Sequence, residues 1–251
     1  EMQQYDGEIE LLERFLKFND QDDRAWFELG EANRLSGERS TDRDEIRKYY
    51  TAAVSAYDRA LDVQRTDVKI WLQKAICLNK LHRYDEAIEC IKYLERYDKY
   101  NPEVYYQKGL ALDGLDDQLA SVDTLAETLK LDPDHEGAYY RRGILLAELE
   151  QYAKAVDHFD NVLRVSPDRW QAYHYKGVCV MNQKEYEKAL SIFEEGAAKF
   201  PGQARFFVDQ AWALVMMRDI DDAREKLRGA LAIDSSLREE ISSTPEFSGL
   251  L

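Results

Sequence analysis

From Trp71 onward an aromatic side chain returns every 34 residues, at Trp71, Tyr105, Tyr139, Tyr173 and Phe207. Two tracks of small residues keep the same step, Ala75, Gly109, Gly143, Gly177 and Ala211 in one and Ala87, Ser121, Ala155, Ala189 and Ala223 in the other. Proline closes three of the intervals, at Pro133, Pro167 and Pro201. A period of this length belongs to a stack of like supersecondary units, none of which can bury its apolar face alone. The small tracks have a mechanical reason, because two antiparallel helices approach closely only where one presents Gly or Ala at the crossing. Large residues such as Tyr139, Leu146 and Phe159 fill the space around it. Proline lacks an N–H and ends the second helix of a unit.

The register resembles the tetratricopeptide repeat, whose W-x2-L-G-x2-Y, A-x3-F and P signature every unit matches in pieces. A further copy is carried by Trp26, Leu29, Gly30, Ala53, Tyr57 and Ala60, with its halves about eleven residues too far apart. The resemblance implies an all-α fold, a right-handed superhelical solenoid of six helix-turn-helix units at 23–67, 68–101, 102–135, 136–169, 170–203 and 204–237. Residues 1–22 read as an N-terminal capping half-repeat, with a helix over 5–18 carrying Leu12, Phe15 and Leu16. Residues 238–251 read as a C-terminal capping helix and tail, in which Phe247, Leu250 and Leu251 fold back on the open end.

Several positions depart from the pattern. Asn33 stands where unit one wants a large side chain, Ser121 replaces Ala in unit three, and Arg65, Lys99 and Ser235 stand at proline positions. The inserted segment, residues 36–48, is polar and mixed in charge, which predicts a solvent loop followed by an early start to the second helix, capped by Ser40 or Thr41. It is either a tolerated surface insertion or a second contact edge.

Charge and motifs bound the function. With 49 acidic and 34 basic side chains the formal charge is −15, which repels phosphate backbones and anionic headgroups, so nucleic acid is not an expected partner. The longest apolar run, Ala211 to Met217, is too short to span a bilayer. Cys77, Cys90 and Cys179 form no CxxC pair and fit a reducing compartment, and the chain is read as cytoplasmic. His82, His135, His158 and His174 are scattered over four units without metal-ligand spacing. No phosphate-cradling or hydrolase motif occurs, so no catalytic residue, cofactor or metal is expected. The start at Glu1 suggests a piece of a longer protein, in which the repeats would be a regulatory or targeting module.

In the family that the register resembles, the first helices of successive units line a concave face. Carried onto this chain, that face includes Tyr106, Tyr140, Arg141, Ile144, His174, Tyr175, Val178, Arg205, Val208, Asp209, Trp212 and Met216. Aromatic and soft apolar side chains on a water-facing surface mark a binding site, unless they pack on one another or on the C-terminal helix. The Lys and Asn pattern by which related repeats clamp a terminal carboxylate is missing, since the corresponding positions hold Phe27, Leu72, Tyr106, Tyr140, His174 and Val208. The expectation is a protein-protein interaction scaffold holding a partner segment in the groove, with a self-assembling homo-oligomer as the alternative.

Overall fold

A computed structural model describes residues 2–250, with side chains from Tyr5 to Leu250. Regular structure among these residues is helical throughout. The chain forms two compact units, which meet in sequence at Pro133 and Asp134. The first holds α1 (Met2–Leu16), α2 (Asp23–Arg39), α3 (Arg43–Val63), α4 (Val68–Lys80), α5 (Tyr84–Tyr97), α6 (Pro102–Gly114) and α7 (Gln118–Leu131). The second holds α8 (Glu136–Glu148), α9 (Tyr152–Val165), α10 (Trp170–Asn182), α11 (Tyr186–Lys199), α12 (Ala204–Met216), α13 (Ile220–Ile233) and α14 (Arg238–Ser243). Within each unit consecutive helices pair as hairpins, α2 with α3, α4 with α5 and α6 with α7, then α8 with α9, α10 with α11 and α12 with α13.

The hairpin turns share one construction. His82, Asp116, Glu150, Lys184 and Arg218 recur at the 34-residue step and all have φ between 58° and 68°. One residue later an amide reaches five residues back, Arg83 to the Leu78 carbonyl and Glu185 to the Val180 carbonyl. This is the helix-ending arrangement in which a left-handed residue lets the last amides satisfy open carbonyls. Asp or Asn side chains then cap several following helices, as Asp67, Asn101 and Asp117 do for α4, α6 and α7.

Packing within a hairpin turns on the small residues. A Cβ on Gly177 would overlap the Phe193 ring, and one on Gly30 the Tyr57 ring; at Gly143 it would stand 3.0 Å from Phe159. Phe159, Phe193 and Tyr57 are themselves fully buried. The departure at Ser121 is absorbed at the same place, because its hydroxyl donates to the Gly109 carbonyl at 2.7 Å and leaves no buried donor unpaired. Asn33 donates its amide to the Leu29 carbonyl at 2.8 Å. With no large side chain there, a cleft of about 640 Å³ opens between α1, α2 and α3, floored by Trp26, Leu29 and Asn33.

The inserted segment differs from its expectation of a loop. The first helices of later hairpins have 13 residues and the second 14, whereas α2 has 17 and α3 has 21. Four extra residues in one helix and seven in the other absorb the whole insertion, and a three-residue turn, residues 40–42, remains. The cap of α3 is Asp42, whose carboxylate accepts the Asp44 and Glu45 amides at 2.9 Å. Ser40 instead braces the turn, accepting the Asp42 amide at 3.2 Å and donating to the Glu45 carboxylate at 2.9 Å. A short polar side chain nearer the helix start outcompetes one two residues earlier.

The ends are covered differently. At the N-terminal end α1 packs on α2, with Leu16 buried and Leu12 half-buried, whereas Phe15, expected in the core, is exposed. The hydroxyl of Tyr49 donates to Asp6 at 3.1 Å and the Arg39 guanidinium lies 4.6 Å over the Tyr5 ring, so the lengthened hairpin tip holds the start of α1. At the C-terminal end Ile241, Phe247 and Leu250 are buried against Val208, Leu214 and Leu227. Leu251, placed by the sequence reading in the same contact, lies outside the described residues.

Within the hairpins glycine thus sits at the close approaches of Gly30, Gly143 and Gly177, while the left-handed turn positions carry other residues. Gly177→Ala should lose about 1–3 kcal/mol through overpacking against Phe193. Lys184→Gly should gain about 1 kcal/mol by relieving its left-handed backbone. Urea unfolding of both variants checks the pair, and the account fails if the two shifts share a sign.

Candidate functional site

The first helices of the second unit, α8, α10 and α12, are neighbours in order, so side chains at equivalent positions form a row. Tyr140 and Tyr175 meet edge to face with centroids 5.9 Å apart, and both contact Phe159 beneath, Tyr175 stacked on it at 5.7 Å. The Arg169 guanidinium lies 4.2 Å over the Tyr140 ring and is held by Glu136 at 3.1 Å. Burial raises the Tyr140 hydroxyl above its usual range, with the charge of Tyr175 adding to it. Ile144, Val178 and Arg141 flank these rings half-buried, and Met216 is exposed. The sequence reading missed Phe159 and Arg169 as members. Phe159 carries the core signal of its repeat position, and Arg169 stands at a unit boundary with no periodic signal at all.

Deeper in the same face, the row closes. The carboxylate of Asp209, 1% exposed, accepts from the His174 Nδ1 at 2.6 Å and forms an ion pair with the Arg205 guanidinium, Nε at 3.3 Å. Arg205 continues to Glu240 of α14 at 2.5 Å. Val208 is buried by the C-terminal segment through Ile241 and Phe247, and Trp212 is wedged between two core clusters. Val208 and Asp209, anticipated in the groove, therefore offer no surface to a ligand, and Arg205 is already engaged within the chain. Tyr140 and Tyr175 pack on each other and the tail covers α12, while an apolar edge still meets water.

Tyr106 lies half-buried on α6 of the first unit, where the equivalent face is polar. Asn79 donates to the Gln107 side chain at 2.8 Å, and Gln107 donates to Glu103 at 2.8 Å, joining α4 to α6.

The thiols of Cys77, Cys90 and Cys179 are free and buried, and burial pushes them up to about 12, 11 and 12. Such thiols are poor nucleophiles. Among the described residues no group of three His, Cys, Asp or Glu side chains is placed to hold a metal. No described helix is long and apolar enough to cross a membrane.

The profile of the tetratricopeptide repeat matches residues 39–102, 106–162 and 140–204. No curated protein matches the sequence. Among solved structures the chain is similar to MamA (41 to end) from Desulfovibrio magneticus RS-1, at 25% identity and a TM-score of 0.62, over 67% of this chain and 96% of that one. It is also similar to YrrB, described as a tetratricopeptide-repeat protein with an unusual peptide-binding site, at 19% identity and a TM-score of 0.63, over 74% of this chain and 98% of that one.

One half-buried group gives this unit a pH dependence. Arg142 donates to His158 Nε2 at 3.1 Å, so the ring is neutral with its proton on Nδ1. Burial, and then the Arg142 charge, lower its pKa from 6.5 to about 4. The unfolded chain takes up that proton first, so stability is full above pH 6.5 and falls as the pH drops toward 4. His158→Gln should flatten the decline in thermal midpoint over that window relative to the wild type; parallel profiles would refute the assignment.

Proposed function

The chain belongs to the tetratricopeptide-repeat family, and we propose that it is a non-catalytic scaffold that binds a segment of a protein partner along the first-helix face of its second unit. One observation supports this reading: the row of Tyr140, Tyr175, Ile144, Val178 and Met216 leaves apolar and aromatic edges in contact with water on the first helices of three successive hairpins. Aromatic edges in a partly desolvated row are the usual anchors of protein recognition. Arg141 stands beside them, and the rings are held in place by Phe159 and Arg169, so little side-chain freedom is lost when a ligand arrives. The likeness to YrrB agrees in kind, since that protein is described as having a peptide-binding site.

The test is affinity capture from native lysate with the wild type and a Tyr175→Ala, Met216→Ala double variant, followed by titration of the captured protein. Trp212 is left intact because it belongs to the core. The variant should bind the captured partner at least about 2 kcal/mol more weakly while keeping its circular dichroism. Equal affinity would place the partner elsewhere.

Self-association is a second reading, favoured by a different face. Leu11, Phe15 and Phe18 follow one another on one side of the N-terminal segment with exposures of 66%, 45% and 89%. Such a stripe is uncovered in the single chain. Light scattering over a concentration series should show a mass that rises in the wild type and stays monomeric in a Leu11→Glu, Phe15→Glu variant; a monomer at every concentration removes this reading.

A further inference from the structure

The lengthened first hairpin places a cationic cleft beside the turn of the next hairpin. Residues 43–49 are the seven by which α3 exceeds the second helix of a later hairpin, and they project beside the α4–α5 turn. Between the two lies a cleft of about 620 Å³ lined by Arg43, Ile46, Arg47, Lys80, Leu81 and His82. Three of these six side chains are cationic and none is acidic, in a chain whose formal charge is −15. We infer that this cleft is a docking site for an acidic protein segment, one whose carboxylates meet Arg43, Arg47 and Lys80 while an apolar side chain meets Ile46 and Leu81.

Among the described residues these cations are not consumed. Arg43, Arg47 and Lys80 make no ion pair among the described residues, whereas the adjacent Arg83 is paired with Glu86 at 2.6 Å. Of the carboxylates nearest in sequence, Asp42 caps α3 and Glu45 accepts the Ser40 hydroxyl, while the exposed Asp44, between the two arginines, forms no ion pair with either among the described residues. Arg43 and Arg47 stand one helical turn apart, so both guanidinium groups reach the same side. His82 is fixed by its left-handed backbone and by the contact of its Nδ1 with the Tyr84 hydroxyl. Unpaired like charges held together destabilise a fold by mutual repulsion, and a ligand of opposite charge relieves it. The apolar floor favours a peptide over a small inorganic anion, because Ile46 and Leu81 give the latter nothing to bury. Nucleic acid would meet the repulsion of the remaining chain over any longer footprint.

A fluorescein-labelled Glu-Glu-Leu-Glu-Glu peptide, followed by anisotropy at low ionic strength, tests the inference on the full chain. The wild type should bind it, weaken as salt is added, and lose at least about tenfold in affinity in an Arg43→Gln, Arg47→Gln variant. Both substitutions fall on exposed helix positions, and circular dichroism verifies the fold. Tyr175→Ala, in the other unit, should leave this affinity unchanged, which separates failure here from failure of the groove reading. Binding that survives in the double variant overturns the inference, as does equal binding of Gln-Gln-Leu-Gln-Gln, or displacement by a single-stranded oligonucleotide at lower concentration than by unlabelled peptide.

Discussion

The whole chain rests on one close approach, repeated with small variations: the ring or branched side chain of a second helix lying directly on the backbone of the first. Tyr57 on Gly30, Leu125 on Gly109, Phe159 on Gly143 and Phe193 on Gly177 are four instances of it. At that separation a Cβ cannot be accommodated in most cases, and the ring that takes its place is removed from water altogether. Because the contact lies inside a hairpin, it fixes the pairing of the two helices, and their outer faces are then free to meet the next hairpin. Substitutions that respect this geometry are absorbed, as Ser121 is through its bond to Gly109. Asn33 removes bulk without refilling the space and leaves a cleft.

The turns that join the helices work under a second constraint, the left-handed residue that ends each first helix. The positions are exposed and carry His, Asp, Glu, Lys and Arg, all of which accept some backbone strain there. Among the six described hairpins the first escapes this arrangement. Its three-residue turn has no positive φ, and its extra length went into helix on both sides. A polar segment rich in Glu, Arg and Lys reads as loop by composition, yet these residues are good helix formers, and two helices already paired extend at little nucleation cost.

Function follows from which faces remain open. In the second unit the chain spends part of its first-helix surface on itself: the C-terminal segment takes Val208, and the His174–Asp209–Arg205–Glu240 chain ties α10, α12 and α14 together. What stays accessible is an aromatic edge, held rigid from below. In the first unit the equivalent face is a polar network, while cations gather at the lengthened tip. The first-helix faces of the two units thus differ in chemistry, half-exposed aromatic rings in the second and a polar network in the first, despite a common repeat.

The sequence alone determined the helical class, the step of 34 residues and which positions would be small, because these follow from a crossing that every unit must repeat. It also placed Tyr140, Tyr175 and His174 on one face, since equivalent positions on stacked helices line up. It did not show that Asp209 and Val208 are closed off, that Phe15 is exposed, or that Arg169 reaches Tyr140, for each depends on a neighbour distant in the chain or on where a helix ends. The helical insertion and its cationic cleft likewise belong to tertiary structure. Periodicity records what every unit shares; the burial of one side chain by a tail, or the gathering of Arg43, Arg47 and Lys80 across a gap, is a property of a single place in space.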